Sequence, residues 1–90
     1  MDTPFLKKQK EIYDLLSMEA LGRRIATLRH QSGLTQTDVA EVCFVTVQAV
    51  SKWERGLSCP DALMMERIAD ALKIPVHALY CEEPEKESFV

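Results

Sequence analysis

Apolar positions along this chain recur at helical spacing, and each recurrence is preceded by a residue able to cap a helix. Thr3-Pro4 is a cap followed by a first-turn proline, and Phe5, Ile12 and Leu16 fall on one side of a helix that ends near Ser17. Ser17 can cap the next helix, whose Leu21, Ile25 and Leu28 point inward and whose Gly33 suits a left-handed stop. Thr35 with Asp38 makes a capping-box start, in which hydroxyl and carboxylate satisfy amide donors that a first helical turn leaves orphaned. Val39, Ala40 and Cys43 then form a narrow apolar face, with Ala40 small enough for a second helix to come close. Thr46 is another N-cap. From it Val50, Trp53 and Leu57 recur at i, i+3 and i+7 as an expected buried stripe, while Gln48, Lys52 and Arg55 share a different face.

Beyond that pair of helices, Gly56-Leu57-Ser58-Cys59-Pro60 reads as a turn. Met65, Ile68, Ala69 and Leu72 mark a further helix from about Asp61, and Lys73-Ile74-Pro75 breaks it. Pro75 is expected as the first residue of a last short helix reaching Tyr80, with Leu79 returning to the core. Neither strand alternation nor an internal repeat is present in the sequence, so the fold class is all-α.

Ninety residues make one small domain, and 47% apolar residues suffice for the modest core of a short helical bundle. The expected organisation is an amphipathic extension over 1–16, a helical domain over 17–80 and an acidic, disordered tail over 81–90. Cys43, Cys59 and Cys81 show neither an even count nor CxxC spacing, which argues for reduced thiols and against a disulfide framework or zinc site. Asp2 sits where a basic signal-peptide start would be, and the apolar runs are too short to span a bilayer; a cytoplasmic protein is expected.

The segment from Thr35 to Gly56 resembles the helix-turn-helix of phage-repressor and Cro-like proteins, the XRE family. Leu34-Thr35-Gln36, Val39-Ala40, Val45-Thr46, Val50 and Ser51-Lys52-Trp53-Glu54-Arg55-Gly56 carry the likeness. It runs from about Leu21 to Gly56 and more loosely to Tyr80. Its implied fold is a lambda-repressor-like bundle of about five short helices, here with an extra N-terminal helix. Where the family usually places a glycine in the turn, this chain has Phe44, whose Cβ strains a backbone at positive φ.

The resemblance implies a sequence-specific regulator of transcription, acting as a repressor on double-stranded DNA. Thr46, Val47, Gln48 and Lys52 match positions that point from the recognition helix into the major groove. Gln48 can pair with adenine through its amide, Lys52 can donate to guanine O6 or N7, and Val47 can touch a thymine methyl. Thr35, Gln36, Ser51 and Arg55 match or neighbour positions beside the DNA backbone, where they would position without specifying. Arg29 and Glu54 match a partly buried ion pair joining the first core helix to the recognition helix. Trp53, on the Val50 side, is expected in the core as the anchor of that helix rather than as a base-stacking platform.

The formal charge of −3 opposes a polyanionic ligand, but the deficit lies in the tail. There Glu82, Glu83, Glu85 and Glu87 face only Lys86, so the remaining acidic and basic groups balance. A single neutral module binds DNA modestly, which favours a homodimer on a pseudo-palindromic operator. The pairing surface would be the segment Pro4 to Leu16 or the apolar Leu57, Leu63 and Met64. No cofactor or metal is expected, because His30 and His77 pair with no cysteine at ligand spacing. With no glycine-rich phosphate loop, nucleophile elbow or HExxH, an enzyme is not indicated either. Two alternatives share the motif: an antitoxin that also captures a toxin partner, and a helix-turn-helix used only for protein contacts.

Overall fold

Capping side chains set the helix boundaries. The computed structural model describes residues 18–80, which form four α-helices and a terminal 3-10 helix with no strand among them. Helix α1 is described over 18–31; α2 is Gln36–Cys43, α3 Val47–Glu54 and α4 Ala62–Leu72, and the 3-10 helix is Val76–Leu79. The extension expected over 1–16 and the tail over 81–90 lie outside the described residues.

Helix α1 ends where Gly33, at φ +75°, turns the chain and the Leu34 N–H donates to the Arg29 carbonyl at 3.1 Å. Thr35 Oγ1 then accepts the Asp38 N–H at 3.0 Å and Asp38 Oδ2 accepts the Thr35 N–H at 2.8 Å, a complete capping box for α2. Thr46 caps α3 by accepting the Ala49 N–H at 3.1 Å, and Asp61 caps α4 by accepting the Met64 N–H at 2.9 Å. Pro75 lies one position before the last helix rather than within it. That helix closes with i→i+3 bonds, Ala78 N–H to Pro75 O and Tyr80 N–H to His77 O, each 3.0 Å; this is the geometry a four-residue stretch can complete.

The core gathers Ile25 from α1, Val39, Ala40 and Cys43 from α2, and Val50 and Trp53 from α3. Met65, Ile68, Ala69 and Leu72 of α4 complete it, with Leu79 fully buried beneath them. Leu21, Leu28 and Met64 are only partly buried at its margin. Leu57 corrects the expected stripe: it is 60% exposed. A seven-residue spacing shares a helix face only while the helix continues, and α3 stops at Glu54 before Gly56, at φ +74°, turns the chain away.

Candidate nucleic-acid interface

Helix α3 has one face packed and one presented. Val50 and Trp53 are buried, whereas Val47, Gln48, Lys52 and Arg55 are exposed. Its first turn carries Thr46, Val47 and Gln48, so backbone amides and the positive end of the helix dipole accompany those side chains. The Thr46 hydroxyl is occupied as a cap. At the other end Arg55 folds back, its Nε 3.1 Å from Ser51 Oγ and 3.3 Å from the Ser51 carbonyl, while Lys52 stays exposed.

Beneath this surface a charged network joins three helices. Arg29 of α1 donates from Nε to Glu54 Oε2 at 2.6 Å and from Nη2 to Glu54 Oε1 at 3.0 Å, a bidentate pair with side chains 9% and 7% exposed. Arg29 Nη1 also donates to the Leu34 carbonyl at 2.9 Å. Gln36, at the start of α2, donates from Nε2 to the same Glu54 Oε1 at 2.9 Å. One of the two donors of its amide is therefore committed inside the protein. Burial alone would raise the Glu54 carboxyl, but hydrogen bonds from Arg29 and Gln36 and the charges of Arg29 and His30 outweigh it and hold the group below the usual glutamate range. The bond to Glu54 in turn raises Arg29, against the opposing effect of its own burial. Asp38 is lowered by the hydrogen bonds with Thr35 that make the capping box.

Phe44, in the turn between α2 and α3, is left-handed at φ +60° and ψ +44° and 82% exposed. Its amide donates to the Glu41 carbonyl at 3.3 Å and the following Val45 N–H to the Ala40 carbonyl at 3.0 Å, so the conformation closes α2.

A helix-turn-helix family profile, HTH_3, matches residues 25–79, more than half of the chain. The chain belongs to the HTH_3 family. A Bacillus subtilis relative, the HTH-type transcriptional regulator YazB, whose function is itself uncharacterised, is 34% identical over 71 residues, covering 79% of this chain and all of the relative. Among solved structures, the restriction-modification controller protein C.AhdI from Aeromonas hydrophila is 27% identical with a TM-score of 0.68, over 70% of this chain and 96% of its own. A hypothetical transcription factor from Neisseria, NHTF, shares the fold at 22% identity and a TM-score of 0.71, over 82% of this chain and 85% of its own. The phage-repressor and Cro-like likeness carried by Leu34 to Gly56 is thus a family membership.

Two residues that matter to this HTH_3 surface were not among those singled out in the sequence. Gly22 lies inside α1, and a Cβ there would fall 2.3 Å from the Trp53 carbonyl oxygen and 2.8 Å from that of Glu54. The backbone of α1 therefore presses directly on the last turn of α3. A lone glycine within a helical pattern, unfavourable by about 1 kcal/mol against alanine, is the signal that could have found it. Arg67 of α4 is the other: its Nη1 donates to the Cys43 carbonyl at 3.3 Å and its guanidinium carbon stands 5.3 Å from the centre of the Phe44 ring. Nothing in the local spacing around Arg67 announces either contact.

The remaining reactive groups are scattered. Burial pushes the Cys43 thiol up, partly opposed by the Arg67 charge, while Cys59 is exposed. His30 and His77 are both exposed, and no group of three or more metal-ligating side chains gathers among the described residues. No described helix is long and apolar enough to cross a membrane.

Proposed function

We propose that this HTH_3 protein is a sequence-specific regulator of transcription, a repressor, that reads the major groove of double-stranded DNA with α3. The observation that carries this reading is the presentation of Val47, Gln48 and Lys52 on the exposed face of a helix whose opposite face and C-terminal end are locked into the core. A reading helix needs that rigidity, because base discrimination depends on side chains held in register with base edges. Thr46, Val47, Gln48 and Lys52 are the proposed base contacts. Thr35, Gln36, Ser51 and Arg55 are proposed at the backbone, Gln36 through the amide hydrogen that Glu54 does not take.

The regulatory relative from Bacillus subtilis and the controller protein from Aeromonas hydrophila support this assignment. The functional unit is a cytoplasmic homodimer on a pseudo-palindromic site, since one helix touches only a few base pairs and specific sites are usually bound at ~10⁻⁸ M or tighter. The residues proposed for pairing are the segment Pro4 to Leu16, which lies outside the described residues, or Leu57 and Leu63, both exposed, with the half-buried Met64.

Selection from random duplex DNA at low salt tests the reading, followed by sedimentation on the enriched duplex. An enriched two-fold related site bound by two copies is the expected result. Failure to enrich any sequence would overturn it and favour a domain used for protein contacts.

A further inference from the structure

The junction leading into α3 is gripped from outside by one side chain of α4. Phe44 holds a left-handed backbone conformation that crowds the Cβ of any L-residue against the following carbonyl. Its ring is largely in solvent, so burial of apolar surface does little to offset that strain. Arg67 stands over this ring, its guanidinium carbon 5.3 Å from the ring centre, within reach of the attraction between a cation and an aromatic face. The same guanidinium donates to the carbonyl of Cys43, the last residue of α2 and an acceptor with no partner inside its helix. Arg67 thus holds two consecutive residues, the end of α2 and the start of the turn. Thr46, the cap of α3, follows two residues later. The base of the clamp is firm, because Arg67 stands next to Ile68 and two residues from Met65, both buried in the core.

We infer that Arg67 is a positioning residue for DNA reading: its clamp on Cys43 and Phe44 sets the direction in which α3 leaves the turn. The inference rests on α3 being the reading helix. Glycine adopts the same backbone conformation without crowding, so a chain with glycine in the turn does not depend on the ring contact. Phe44 does, and Arg67 supplies the contact.

A double-mutant cycle decides the matter, using the parent, Arg67→Ala, Phe44→Gly and the double variant, with Arg67→Lys as a milder change should Arg67→Ala fail to fold. Each protein is titrated with the duplex selected by the parent and with a scrambled duplex, and melted without DNA. Arg67→Ala should lower the ratio of selected to scrambled affinity by about fivefold in the parent and by less than about twofold in the Phe44→Gly background, the non-additivity expected of residues in direct contact. Equal losses in both backgrounds, or an unchanged ratio in the parent, would overturn the inference even if stability falls. If the parent selects no sequence, the regulatory reading has failed and the melts judge the clamp alone. A drop in melting temperature at least halved in the Phe44→Gly background supports it, and equal drops refute it.

Discussion

Arg29 Nε and Glu54 Oε2 lie 2.6 Å apart between α1 and the last residue of α3, with both side chains almost fully withdrawn from solvent. Removing one partner leaves the other charge buried without compensation, at about 3 to 5 kcal/mol. For a domain whose whole stability is on the order of 5 kcal/mol, Arg29→Ala should remove more than half of that stability. Urea denaturation followed by Trp53 fluorescence measures this, and a midpoint unchanged from the parent would contradict it.

The same pair predicts a pH dependence. Glu54 is lowered in the folded state, so its contribution is fully present above the unfolded glutamate value of about 4.3 and is lost as pH falls through the lower folded value. Asp38 acts in the same direction through its capping box. Arg29 stays charged across this range and adds no slope. Stability should therefore fall on acidification below about pH 5, and less steeply in Glu54→Gln. Identical slopes in the two proteins would show that Glu54 does not drive the acid transition.

Gly22→Ala sets two expectations against each other. Helix propensity alone favours alanine by about 0.5 to 1 kcal/mol. The new methyl would meet the Trp53 carbonyl oxygen at 2.3 Å, an overlap with backbone that must displace α1 from α3. Overpacking of this kind costs about 1 to 3 kcal/mol, so a net loss is expected in thermal melts. A rise in melting temperature would mean that the helices separate freely.

Among the described residues, two other than glycine share the left-handed region, Phe44 at φ +60° and Lys73 at φ +59°. Lys73 is exposed at the end of α4, and its side chain makes no hydrogen bond or ion pair among the described residues. Lys73→Gly should relieve about 1 to 2 kcal/mol of strain, less the greater freedom of glycine in the unfolded chain, for a net gain of roughly 0.5 to 1 kcal/mol. Phe44→Gly also loses the Arg67 contact and should gain less. Calorimetry on the two variants distinguishes them, and a larger gain at position 44 would run against this ordering.

On DNA, Gln48→Ala should relax preference at one base pair by about 1 to 3 kcal/mol, whereas Gln36→Ala should weaken all sequences alike. Because Gln36 also donates to the buried Glu54 carboxylate, its loss should lower stability by about 1.5 kcal/mol as well. Binding titrations across a panel of single-base variants check the first claim. Uniform losses for Gln48→Ala would remove it from the reading surface.

What could be read from the chain was local. Thr35 with Asp38, Thr46, Asp61 and Gly33 each act within a few residues of themselves, so spacing along the sequence already states whom they bond. Leu57 shows where that reading stops. Its helical register with Val50 and Trp53 was correct as arithmetic, yet the helix ended before reaching it.

The sequence by itself determined an all-α chain, the starts of α2, α3 and α4, most of the buried stripe and a helix-turn-helix likeness strong enough to name the family. These follow from hydrogen bonds and side-chain periodicity within single turns of helix. Only the tertiary structure decided that Gly22 touches the end of α3, that Gln36 shares Glu54 with Arg29, and that Arg67 reaches Phe44. Each of these joins residues eighteen or more positions apart, and such contacts depend on how helices cross and how closely their backbones approach. That geometry is a property of the whole packed core, and no local spacing encodes it.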